Sequence, residues 1–152
     1  MGLIFDIFVA DENDSQEIWE EPDFSRSIQT GVDDYKLFVL LSLTRKKRAP
    51  KSFGKNFFKE FKLLWPEDPD DGFVVKFPDD FVRALSTLKD RSLESLAMEW
   101  IKRDSVLKFG LEPDAESVDD LGKGAIAALK QLRSVSKKAI TKGKAVLFRL
   151  SL

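Results

Sequence analysis

Two residue types are missing altogether: the chain has no cysteine and no histidine. Without thiols there is no disulfide, no thiolate nucleophile and no cysteine-ligated zinc. Without imidazole there is no Ser-His or Cys-His pair, no histidine general base and little with which to hold a transition metal. Tyrosine occurs once, as Tyr35. Catalysis is thereby confined to carboxylate pairs, a lysine, that tyrosine or a hard cation held by oxygens. The longest apolar run, LFVLLSL from Leu37 to Leu43, falls far short of a bilayer span. The opening MGLIFDIFVADEND has no basic start, Asp6 interrupts its apolar stretch, and Asp6 also stands where a myristoylation signal needs Ser or Thr. These absences lead us to expect a cytoplasmic protein with no membrane partner and no cofactor.

What is present reads as an ordinary folded domain. The 152 residues are 43% hydrophobic and include thirteen Phe and three Trp. That suffices for a core without covalent staples, so a single domain over residues 1–152 is expected. The net charge of −1 conceals strong segregation. Residues 1–34 hold ten acids against the single base Arg26, and residues 35–63 hold nine bases against Glu60. No acid follows Asp120, whereas eight bases from Lys123 to Arg149 do. A near-zero total favours blocks that pair with one another across the fold, with a basic surface for an anionic partner as the alternative.

Periodicity supplies the elements. Leu3 to Ala10 reads as a strand. DDYKLFVLLSLT fits a buried helix capped by Asp33 or Asp34 better than a buried strand. PEDPDDG is turn chemistry leading into the short strand FVVKF. PDDFVRALSTLKD and SLESLAMEWIK make two amphipathic helices. A long helix from about Glu116 to Lys142 carries acids at its start, bases at its end and Gly143 as its cap. KAVLFRLSL closes the chain as a strand with Val146, Phe148 and Leu150 on one side. The expected class is α+β: a small, mostly antiparallel sheet including both terminal strands, packed with four or five helices.

The densest basic stretch is TRKKRAPKSFGKNFFKEF, Thr44 to Phe61, with seven Lys or Arg and four Phe. At about 100° per residue, Phe53, Phe57, Phe61 and Leu64 share one sector of a helix, with Lys55, Lys59 and Lys62 opposite. A platform for nucleic-acid bases needs exposed rings. This spacing sends them toward a core, so a core helix is expected there. The preceding RKKRAPK reads as an exposed loop. On the long helix Lys123, Lys130 and Lys137 recur every seven residues and align opposite the apolar stripe, flanked by Arg133 and Lys138. The candidate anion or partner surface is therefore Arg45, Lys46, Lys47, Arg48, Lys123, Lys130, Arg133 and Lys137. Its plain counterpart is a solvated face that also suits the helix C-terminus.

Other motifs fail on context. GKGAIA matches the dinucleotide fingerprint G-x-G-x-x-A but has no strand before it and no acid after it. SVSK and SVLK fit S-x-x-K without the partner motifs. Neither PEDPDDG nor DENDSQ fits a calcium loop. Glu94 and Glu99 are carboxylates with no sequence sign of convergence.

Three segments, MGLIFDIFVA, VVKFPDDFVRALSTLKDRSLESLAMEW and LKQLRSVSKKAITKGKAVLFRLSL, resemble the YfbM-like family of small uncharacterised bacterial proteins. The resemblance covers roughly half the chain and rests on packing and turn residues. It implies a bacterial α+β domain, supplies no catalytic residues, and breaks down in the basic segment Arg45 to Lys62. The leading expectation is a non-enzymatic module that binds another protein, as an immunity or antitoxin-type partner. A nucleic-acid-associated protein using the basic 45–62 segment and the 123–142 helix face is the alternative, and a carboxylate- or metal-dependent enzyme is the third. A homodimer is compatible with all three.

Overall fold

A computed structural model describes residues 4–23, 25, 27–47, 53–103 and 118–151. The chain opens with strand β1 (Ile4–Ala10), a 3₁₀ turn (Glu12–Asp14), helix α1 (Ser15–Glu20) and strand β2 (Ser27–Gln29). Helices α2 (Asp34–Thr44) and α3 (Gly54–Glu60) follow, then strands β3 (Lys62–Trp65) and β4 (Gly72–Lys76). Helices α4 (Asp79–Ser86), α5 (Asp90–Arg103) and α6 (Val118–Lys142) lead to the last strand, β5 (Ala145–Ser151). The five strands form one sheet in the order β2-β1-β5-β4-β3 with every pairing antiparallel. The class and the inclusion of both terminal strands are as expected; the described residues hold six α-helices rather than four or five.

The core lies between the sheet and the larger helices. Ile7 of β1, Phe73 and Val75 of β4, and Val146, Phe148 and Leu150 of β5 point into it. From the helical side come Leu85, Ala97, Trp100, Leu129, Leu132 and Ala139. Helix α2 is apolar all round and buried from Lys36 to Leu43, which suits a helix enclosed by other helices. The Asp33 carboxylate accepts from the Lys36 amide at 2.8 Å, closing the start of α2 as the sequence suggested. The first turn of α2 gains a further tie where Trp100 Nε1 donates to the Lys36 carbonyl at 3.1 Å.

The sheet's other face is not open. Phe8, Val74 and Leu147 are buried there beneath Ile18 and Trp19 of α1, with Leu64 beside them. Strand β5 is therefore covered on both sides, from Val146 to Ser151. Neither α1 nor β2 is evident from the sequence; within DENDSQ, Glu12–Asp14 forms the 3₁₀ turn and Ser15 and Gln16 open α1. The expected core helix through Leu64 also needs correction. It stops at Glu60, Phe61 is extended, and Lys62–Trp65 pairs with β4. With Phe61 held in the core at 0% exposure, pairing of Leu63 with Val75 and Trp65 with Val74 outweighs the local helical pattern.

Candidate functional surface

The basic stretch after Thr44 turns out to be the end of a helix. Lys46 adopts φ +56°, its amide donates to the Leu43 carbonyl, and the Lys47 amide donates to the Ser42 carbonyl. That is the double closure of a Schellman turn, with a lysine where glycine is usual. Arg45 reaches sideways: Nε donates to Asp80 at 2.7 Å and Nη1 to Glu60, joining the ends of α2, α3 and α4. These acids hold the Arg45 guanidinium firmly protonated, and Arg45 in turn lowers the Asp80 carboxyl. The Lys47 carbonyl accepts from Arg103 in the last turn of α5 at 3.0 Å. Two helix C-termini meet here, and cations at such ends offset the partial negative charge of their carbonyls. Arg48 lies outside the described residues.

The rings downstream point inward. Phe57 and Phe61 are 1% and 0% exposed and stack on each other at 4.6 Å between centroids, while Phe53 and Phe58 are half-buried against the same core. Among the described residues this segment presents no bare aromatic trough beside its lysines.

The lysines of α6 fare differently. Lys123, Lys130 and Lys137 are exposed on its outer face, and none has an ion-pair partner among the described residues. Arg133, grouped with them by sequence, is half-buried: Nη1 donates to the Leu88 carbonyl at 3.1 Å and to Asp90 at 2.8 Å. It locks α6 onto the α4–α5 junction. The Asp90 carboxyl is lowered mainly by the Arg133 hydrogen bond, and more weakly by Lys130 and Lys137. The two halves of the expected surface do not form one patch. Asp90 opens α5 beside Arg133 and Arg103 closes it beside Lys47, so the 14 residues of α5 set them roughly 20 Å apart.

Elsewhere the segregated charge blocks do pair across the fold. Asp11 accepts from Lys144 at 2.5 Å, and Glu12 takes Lys76 at 2.7 Å and Lys62 at 3.2 Å. The deepest pair is Asp6 with Arg149, which face each other across β1 and β5. Arg149 also donates to Ser151 Oγ at 3.1 Å and lies 5.3 Å from the Trp19 ring. Burial outweighs this partner and raises the Asp6 carboxyl. The sequence carried a sign of the pair, one charge of each type interrupting an otherwise apolar terminal strand; the cross-strand register that unites them was not legible.

Glu94 and Glu99 are both exposed on α5. Among the described residues no group of three or more acids is placed to hold a metal ion. An acidic cleft of about 110 Å³ between β1 and α1 is lined by Asp14, Glu17, Glu21 and Asp23. No helix among the described residues is long and apolar enough to cross a membrane. No protein-family model, curated protein or solved structure matches the chain, so the functional reading rests on its own residues.

Proposed function

We propose that the protein is a binding module whose working face is the outer side of α6, and that its partner is an acidic protein. The observation that carries this is the row Lys123, Lys130 and Lys137: exposed, seven residues apart, and lacking any ion-pair partner among the described residues. Helix-end electrostatics does not account for the row, since the effect fades within the terminal turns and all three lysines lie between those turns, Lys130 at the midpoint of α6. Three ammonium groups over about 21 Å form a strip that steers and registers an anionic surface. A protein surface suits this strip better than nucleic acid does. The overall charge is −1, the guanidinium of Arg133 is already engaged, and the phenyl rings that could stack on bases are packed inside.

The test is retention of proteins from a nuclease-treated lysate of the source organism on the wild-type chain and on the triple variant Lys123→Glu, Lys130→Glu, Lys137→Glu. The expected result is an acidic protein that binds the wild type and is weakened about tenfold or more by the reversal, with the melting temperature unchanged. Binding indifferent to the reversal would remove α6 as the working face. Retention seen only from a parallel untreated lysate and lost on nuclease treatment would transfer the face to nucleic acid.

A further inference from the structure

The lysine row of α6 runs into a cleft. Between α4, the last turn of α6 and the ends of β4 and β5 lies an open cavity of about 270 Å³. Phe77, Val82 and Val146 give it an apolar floor, and Ile140 forms its lip. Ile140 is 50% exposed, the most exposed of the large hydrophobic side chains among the described residues. It stands three residues beyond Lys137, so the two are neighbours on the helix surface and the row continues directly into the cleft.

The rim is cationic. Lys76, Arg83 and Lys144 line it together with one acid, Asp79. Arg83 has no ion-pair partner among the described residues. Lys144 meets Asp11, and Lys76 meets Glu12 and Asp79, in partly exposed pairs. Pairs of this kind contribute little to stability and exchange readily for incoming carboxylates. An apolar pit ringed by cations complements a bulky apolar side chain flanked by acids, the arrangement in which interface anchors are found.

Building on the α6 reading, we infer that this cleft is the anchor pocket of the docking face. It receives one large apolar side chain from an acidic segment of the partner, whose carboxylates lie along Lys130, Lys137, Arg83 and Lys144. Desolvating that side chain against Val82 and Ile140 supplies affinity, while the lysine row sets orientation.

Two synthetic probes test this: a glutamate-rich peptide with one central Phe, and the same peptide with Ala in its place. The Phe peptide is expected to bind about tenfold more tightly and to shift the methyl resonances of Val82 and Ile140. Ile140→Ser should abolish that advantage and leave the Ala peptide's affinity unaltered. Equal affinities for the two peptides, both lost on reversing the α6 lysines, would overturn the anchor while leaving the docking face intact. If neither peptide bound, the docking face itself would fall. Self-association of the wild-type chain that Ile140→Ser removes would assign the cleft to a second copy and likewise end the proposal.

Discussion

Two residues with positive φ show how differently such a backbone is tolerated. Lys46 closes α2 at φ +56°, where a side chain costs about 1–2 kcal/mol relative to glycine. Part of that returns when glycine is introduced, because glycine loses more freedom on folding. Lys46→Gly should therefore raise the unfolding free energy by about 0.5 kcal/mol, seen as a higher urea midpoint at constant slope. A fall instead would mean that the lysine side chain stabilises the turn by more than its backbone strain. Gly72 is the reverse case. At φ +126° a methyl group would run into the Leu150 carbonyl and come within 2.7 Å of the Trp19 ring. Gly72→Ala should lower stability by about 2 kcal/mol or more, because both the backbone and α1 must shift. A loss below about 0.5 kcal/mol would show that α1 rides loosely on the sheet.

Among the elements, Arg45 matters as the tie between α2, α3 and α4 rather than as a contact for a partner. Its bond lowers the Asp80 carboxyl below the ordinary carboxylate value. A carboxyl lowered on folding stabilises above its unfolded pKa, near 4, and that contribution disappears as pH falls through the folded value. The difference in unfolding free energy between wild type and Asp80→Asn should accordingly be largest above pH 5 and close as pH approaches 2. It should not exceed about 1 kcal/mol, since the pair is partly exposed. A difference that is constant across this range would show that the ion pair is without energetic effect. The total acid profile should be shallower than Asp80 alone suggests. Asp6 and Asp34 are raised by burial, Asp34 also by its neighbour Asp33, and such groups favour the folded state as pH falls.

For the molecule as a whole, the pair Asp6–Arg149 joins the first strand to the last under the cover of α1. Removing one member leaves the other charge buried, so Arg149→Ala should cost about 3 kcal/mol or more. Replacing both, as Asp6→Leu with Arg149→Met, should recover most of that loss. If the double variant were no better than the single, the pair's value would lie in Arg149's contacts with Trp19 and Ser151 rather than in charge. The same long-range matching takes up part of the segregated charge. Bases at Lys62, Lys76 and Lys144 meet acids from the first block, whereas the outer row of α6 meets none among the described residues.

The sequence by itself determined the α+β class, both terminal strands, the Asp33 cap, the long helix with Gly143 at φ +64° as its stop, and the inward turn of Phe57 and Phe61. Each of these follows from local quantities, namely side-chain period, capping chemistry and the φ preference of glycine. Tertiary structure alone decided that Lys62–Trp65 becomes a strand, that α1 covers the back of the sheet, and that Arg45 and Arg133 bind acids of this chain while Lys123, Lys130 and Lys137 do not. Strand pairing and ion pairing join residues far apart along the chain. Their partners are chosen by how the core packs, and no local pattern encodes that choice.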